Sequence, residues 1–386
     1  MKGTGQSILW GLYCTSSWTW CIGMYLPFLL LRLWGWPGFW VFCVPNVLGC
    51  AAFGWVLSRR QSRLMQLHLG WAMVIFSAVT VAYQCYFAGW AAQYFFVGQG
   101  AMAMVVSTGA PIAILVAGMW MAVRSDALWL VWGALAFALS VGVLACGAAS
   151  DGCAWSAPLA GTREPLVEAS KLWWAAPTIS AGFLLCPYLD LTFHRAVQHA
   201  PQPRLAFGVF GATFALMLLG VASLYDPATG GPKVGWQVGL LWGVQLTYTV
   251  GAHLKELMQE RSGVRMPASL VAVAVIAATP AFLFSLGPSL PVGAAPLAGG
   301  ATRALLPGEP LYLAFLGFYG LLFPALVWLE GRSRPRWALG LVLAAGVPCY
   351  LLGAWDFLTF LMPVPVLLAA FLGVGLPRSQ PLPATH

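Results

Sequence analysis

Tyr13-Cys14-Thr15-Ser16-Ser17-Trp18-Thr19-Trp20-Cys21-Ile22-Gly23-Met24-Tyr25-Leu26-Pro27 is the stretch on which the fold turns. It lies in a hydrophobic run from about 6 to 33. Roughly 20 apolar residues suffice to cross a bilayer, so this run is more than long enough. Yet it carries four Ser/Thr hydroxyls, a Gly and a Pro at membrane depth. A plain lipid-facing helix gains nothing from them. Backbone groups freed at such a point must be satisfied by protein, water or a ligand. Tilt or a break is therefore expected. A second stretch is composed alike: Pro177-Thr178-Ile179-Ser180-Ala181-Gly182-Phe183-Leu184-Leu185-Cys186-Pro187-Tyr188-Leu189-Asp190, with two Pro, a Gly, two hydroxyls and a carboxylate. Kinked helices with Ser/Thr bonded back to their own backbone would also account for both.

The rest of the chain gives these stretches their setting. Of 386 residues only 8% are charged, 60% are hydrophobic, and the mean hydropathy is +0.81. Soluble proteins carry about 25% charge, so no polar shell can be built. Disorder needs the opposite composition. Nine scattered cysteines in a chain this long exclude a small disulfide scaffold. The class that remains is an all-α polytopic membrane protein. No P-loop, nucleophile elbow, zinc-protease or dinucleotide motif occurs, and no soluble domain is present to carry one. The net charge of +8 reads as basic loops at a membrane rather than as nucleic-acid binding.

Charges, Pro/Gly clusters and polar runs divide the chain into twelve spans, at about 6–33, 37–57, 68–93, 98–122, 127–149, 171–194, 204–225, 235–254, 266–288, 309–330, 336–354 and 357–376. With a cytoplasmic N-terminus, fourteen of the 19 basic residues fall inside and five outside: Arg32, Arg163, Lys171, Lys233 and Arg303. The positive-inside rule then places both termini in the cytoplasm, in a cell inner (plasma) membrane. No cleavable signal peptide is expected, and 377–386 reads as a cytoplasmic tail. Trp34, Trp36, Trp40, Trp173, Trp174 and Trp337 suit an interfacial belt, whereas Trp18 and Trp20 are mid-span.

Five spans precede a polar outer loop at 150–170 and five follow it over 171–331, with two more over 332–376. Five is odd, so the halves 1–149 and 171–331 enter from opposite sides, as inverted repeats do. Ser17-Trp18-Thr19-Trp20-Cys21-Ile22-Gly23-Met24, Val44-Pro45-Asn46-Val47-Leu48-Gly49 and Cys186-Pro187-Tyr188-Leu189-Asp190-Leu191-Thr192-Phe193-His194 resemble transporters of the amino acid–polyamine–organocation superfamily and sodium:solute symporters. The resemblance covers about forty residues. It implies a LeuT-like 5+5 inverted repeat with broken first and sixth helices, plus the two C-terminal helices.

The expected function is a cation-coupled secondary transporter, and not an enzyme, of a small polar solute such as an amino acid. A substrate would bind between the broken helices, at Trp18, Trp20, Gly23 and Tyr25 with Ser180, Gly182 and Tyr188; packing explains the tryptophans equally well. Ser16, Ser17, Thr247, Thr249 and Asp190 are the candidates for ion coupling, by Na+ or H+. The eighth-helix hydroxyls follow from the resemblance, but Thr247 and Thr249 do not share a helical face, so at most one reaches the ion. Asp190 is a cation ligand, proton carrier or gate partner, or else salt-bridges to Arg195 or another Arg at the cytoplasmic end. Asn46 is a buried amide in need of partners. Neither a resident cofactor nor a metal is expected, because His194 and His199 are off one face and there is no C-x-x-C. Cys146 and Cys153 could approach each other at the outer face, although a reduced, buried Cys is the commoner outcome. The rival readings are a membrane enzyme acting on a lipid-linked substrate, with Asp190, His194, Arg195, His253, Lys255 and Glu256 at one interface, and a non-transporting sensor on a transporter scaffold.

Overall fold

The computed structural model describes residues 2–19, 21–95, 100–150, 167–222, 236–258, 294–296, 302–304, 316–355 and 359–376. Within them lie α1 Lys2–Trp18, α2 Cys21–Val56, α3 Arg59–Phe95, α4 Ala101–Ala122, α5 Asp126–Ser150 and α6 Ala169–Leu185. After these come α7 Leu191–His199, α8 Pro203–Ala222, α9 Trp236–Met258, α10 Phe323–Leu329, α11 Arg336–Trp355 and α12 Pro363–Gly375. A short antiparallel ribbon pairs Ala294–Pro296 with Thr302–Ala304. Seven of the described helices, α2 to α6, α8 and α11, are long and apolar enough to cross a membrane. The protein is a helical membrane protein. The expected span at 266–288, Trp20, Cys153 and Asp356 lie outside the described residues.

The first hydrophobic run is in two pieces: α1 ends at Trp18 and α2 begins at Cys21. The next boundary comes at Gly35, whose φ of 66° is open to glycine at no steric cost. There α2 folds into two arms, 21–34 and 36–56, which are the end of the first expected span and the whole of the second. The arms approach so closely that a Cβ on Gly38 would stand 2.6 Å from the Leu30 carbonyl oxygen. The amide of Val167 donates to the Leu33 carbonyl at 2.9 Å and ties the loop before α6 to the hairpin.

The sixth run is broken as well. α6 stops at Leu185, a 3-10 turn spans Cys186–Leu189, and Asp190 is extended before α7 starts. Pro187 has no N–H to continue the ladder. Asp190 restarts the helix as its N-cap, its Oδ1 accepting from the Thr192 amide at 2.7 Å.

Packing sorts the helices into two groups. α1 and α2 both lie on α8, and α2 also lies on α6, forming a bundle. α3, α4 and α9 pack on one another as a panel. α5 lies against α1 and α9, and α12 rests on α11 and α6. A π turn, Phe318–Leu322, precedes α10 and packs against α6. The Tyr319 carbonyl there accepts from the Cys186 thiol at 3.2 Å, and its hydroxyl stands 3.0 Å from Thr80 of α3.

Candidate functional site

The hydroxyl run of α1 reaches in several directions at once. Thr15 Oγ1 is 2.6 Å from Thr213 Oγ1 of α8. Ser16 Oγ donates to the Gly133 carbonyl of α5 at 2.9 Å. Ser17 Oγ and Thr192 Oγ1 of α7 share a hydrogen bond at 3.1 Å. Thr19 bonds back to its own helix, at the Thr15 carbonyl. One turn of helix thus fastens three neighbours, the work that Ser and Thr do between membrane helices.

Trp18 closes the turn. Its indole N–H donates to Asn46 Oδ1 at 3.0 Å, which supplies the partner that a buried amide next to Pro45 needs. Its ring lies 4.8 Å from Phe193 and 6.1 Å from Phe76. The first and second broken helices therefore meet through Ser17, Trp18, Thr192 and Phe193.

Asp190 is fully buried at this junction. Its Oδ1 is used as the N-cap, and the Thr192 hydroxyl and the Phe193 amide also lie toward the carboxyl, while Oδ2 itself accepts no hydrogen bond of good geometry among the described residues. The ion pair with Arg195 that the sequence allowed does not form, because Arg195 is taken by other acids. A carboxyl oxygen left bare in a dry interior is costly, and such groups gather where function requires them. Cys14 of α1, Cys50 of α2 and Glu256 of α9 are within electrostatic reach of it.

Among the other expected ion-coupling residues, Thr249 Oγ1 donates to the Ser16 carbonyl at 3.2 Å, joining α9 to the last turn of α1. Thr247 is half-buried on a different face of α9. The buried face of α9 carries Gln245, Thr249, His253 and Glu256 in succession. Gln245 donates to Ser140 of α5 at 2.7 Å, and His253 Nδ1 lies 3.1 Å from Ser77 of α3. No group of three or more His, Cys, Asp or Glu converges as a metal site among the described residues.

The expected substrate residues are more dispersed. Trp18 is at the junction. Gly23 belongs to the first turn of α2. Tyr25 is fully buried, edge-on to Trp90 at 5.0 Å. Ser180 is half-buried in α6. Gly182 is a contact point: a Cβ there would stand 2.5 Å from the Tyr319 carbonyl oxygen, so it serves helix packing. Tyr188 is half-buried, with its ring 5.4 Å from Phe53. Its carbonyl accepts from His194 Nε2 at 3.0 Å, and His194 Nδ1 stands 2.8 Å from Ser62 of α3.

Near the start of α5 and the end of α9, charged side chains converge. Arg195 Nε is bonded to Glu256 Oε1, and Arg195 Nη1 lies 3.2 Å from Asp126 Oδ2. Lys255 Nζ meets Asp126 Oδ1 at 2.9 Å and the Arg124 carbonyl at 2.5 Å. Arg195, Glu256 and Lys255 are buried, whereas the Asp126 side chain is 39% exposed. Arg59 donates to the Ala200 carbonyl at 2.6 Å, holding the end of α7 to the start of α3. Thr192, Thr213 and Asp126 were not anticipated from sequence. Asp-Leu-Thr after a proline is an N-cap signal that would have exposed Thr192.

The chain matches no protein-family model, and no curated protein is similar to it.

Proposed function

We propose that the protein is a secondary active transporter that moves a small polar organic solute, of the amino-acid class, by alternating access and with a coupling cation. The observation that carries this reading is the junction: two broken membrane helices meet at a buried carboxyl group, on the seam between a bundle and a panel. Transporters of this kind move one bundle against the other around a midplane site made by discontinuous helices. The reading takes the chain as twelve spans in a 5+5 inverted repeat plus two, with both termini in the cytoplasm of the inner (plasma) membrane. The charged end formed by Arg195, Glu256, Lys255 and Asp126 is then the cytoplasmic gate, shut in this state.

Two ions fit. The Ser16 carbonyl and the Thr249 hydroxyl are neutral oxygens of the kind that hold sodium. The bare Oδ2 of Asp190 suits a proton. The enzyme reading gains nothing from the charged residues, because Arg195, Lys255 and Glu256 are buried and bonded to one another and to Asp126 rather than facing a lipid-side cleft.

A thermal-shift screen of the purified protein against amino acids and related solutes, with sodium, with potassium and across pH, tests the proposal. A ligand that binds the native state raises its stability by mass action. A solute that stabilises only in sodium assigns that ion, and one that stabilises in either salt but with a pH dependence assigns the proton. A solute hit that drives no uptake in proteoliposomes under any gradient would sink the transport reading.

A further inference from the structure

We propose that the groove between α6, α10 and α12 holds one acyl chain of an anionic phospholipid from the bilayer, with Arg332 and Arg336 at its phosphate. This inference uses only the membrane placement of the chain and is independent of transport.

The groove is a cavity of about 170 Å³. Ala181 and Leu185 of α6, Pro324 and Trp328 of α10, and Val366 and Ala370 of α12 are among the residues that line it. It is large enough for several waters, but its walls offer them few polar partners, and apolar cavities stay dry or take apolar ligands. Ala181, Leu185, Val366 and Ala370 are each half-buried, so the groove is open on one side. The rim there continues into Leu184, Leu367 and Phe371, which are 41%, 64% and 72% exposed, a surface suited to hydrocarbon.

The chemistry changes at one end. Trp328 lines the groove and turns its indole N–H edge toward Gly373 of α12. One turn on, the guanidinium of Arg332 lies 3.7 Å above the Trp328 ring. Stacking on the ring face leaves the N–H edge of an arginine free for an anion. Arg336, also exposed, opens α11 four residues later. Arg334 is used differently: it donates to the Leu376 carbonyl and, at 2.6 Å, to the Gly373 carbonyl, and so fixes the end of α12 that walls the groove. Glu330 is the one acid in the described stretch 316–355, against these three arginines. An apolar groove whose Trp328 wall carries the Arg332 guanidinium, with the exposed Arg336 four residues further on, matches tail and phosphate in order. Basic sites between membrane helices recognise anionic lipid head groups in this way. A free phosphate would leave the groove unfilled.

Native mass spectrometry of the detergent-purified protein with added phosphatidylglycerol or phosphatidylcholine tests this. Each arginine near an anionic lipid is worth roughly fivefold, so phosphatidylglycerol is retained roughly twentyfold better than phosphatidylcholine. Arg332→Gln with Arg336→Gln brings the two lipids to parity, and Arg336→Gln alone, at an exposed position, removes about fivefold. Ala370→Phe fills the groove and removes retention of both. Millimolar inorganic phosphate leaves the bound lipid in place. Equal retention of the two lipids by the unmodified protein overturns the proposal. So does a preference that survives the double substitution, retention that survives Ala370→Phe, or displacement by phosphate.

Discussion

Glu256→Gln is the most informative single change. It removes the charge that faces Arg195 Nε in a buried pair. Removing one partner of a buried pair costs about 3–5 kcal/mol, because the other charge is left uncompensated. Here the loss is smaller for two reasons. The glutamine carbonyl still accepts from Nε, and Arg195 keeps Asp126 at 3.2 Å. A cost of about 2 kcal/mol to the closed end is the reasonable magnitude, which multiplies the open fraction by roughly thirty. Asp126→Asn touches the same arginine from a position that is 39% exposed. Solvent screens that pair, so its loss is worth about 1 kcal/mol or less, at most about fivefold. The buried thiols Cys14 and Cys50 report on opening, since both are inaccessible in the closed state and lie within electrostatic reach of Asp190. Maleimide labelling, mapped by mass spectrometry, should accelerate at these two cysteines in Glu256→Gln and much less in Asp126→Asn. The exposed Cys146 serves as the internal standard. Equal labelling in the two variants, or no change at Cys14 and Cys50 in Glu256→Gln, would refute the assignment of the ion pair as the closure.

Three further outcomes follow from particular contacts. Asp190→Asn keeps the helix cap, for which Asn serves as well as Asp, so thermal stability should hold while solute-driven ion flux in proteoliposomes is lost; Asp190→Ala should cost about 1 kcal/mol more than Asn in stability. Thr249→Val removes the hydroxyl on the Ser16 carbonyl and should lower stability by about 1 kcal/mol and abolish any sodium-dependent thermal shift, whereas Thr247→Val should leave both within about 0.5 kcal/mol. Gly35→Ala forces a Cβ into a positive-φ turn and should cost about 1–2 kcal/mol, measurable as a lower denaturation midpoint in micelles.

The two broken helices were legible because they violate a rule that the rest of the chain obeys. Hydroxyls, Gly and Pro at membrane depth need an explanation, and both stretches did mark interruptions, at Trp18–Cys21 and at Cys186–Asp190. What each hydroxyl touches was not legible. Thr15 meets Thr213 across 198 residues and Ser16 meets Gly133 across 117, and no local pattern encodes a partner that distant. Arg195 illustrates the same limit for charge. Nearness in sequence favours Asp190 as its partner, but capping α7 turns that carboxyl toward the backbone of Thr192. The arginine instead finds acids at the ends of two other helices. Gly182 looked like room for a ligand, and it is room for the Tyr319 backbone.

The way the contacts are distributed says how the molecule can move. Within the bundle and within the panel, glycines let backbones touch. A Cβ on Gly11 would stand 2.6 Å from the Ala206 carbonyl oxygen of α8, one on Gly49 2.6 Å from that of Phe183 of α6, and one on Gly89 2.8 Å from that of Ser107 of α4. Gly118 of α4 and Gly251 of α9 face each other in the same manner. Close-packed surfaces of this kind cannot slide without opening voids, and voids forfeit dispersion energy outright. Between the two groups the contacts are mixed: Ser16 with Thr249, His194 with Ser62 and Arg195 with Glu256 are polar, while Trp18 with Phe76 and Tyr25 with Trp90 are aromatic. A hydrogen bond exchanged for water costs about 1 kcal/mol net, far less than the gross energy of the bond. The polar contacts of the seam can thus be exchanged for water at lower cost than the glycine contacts within each group.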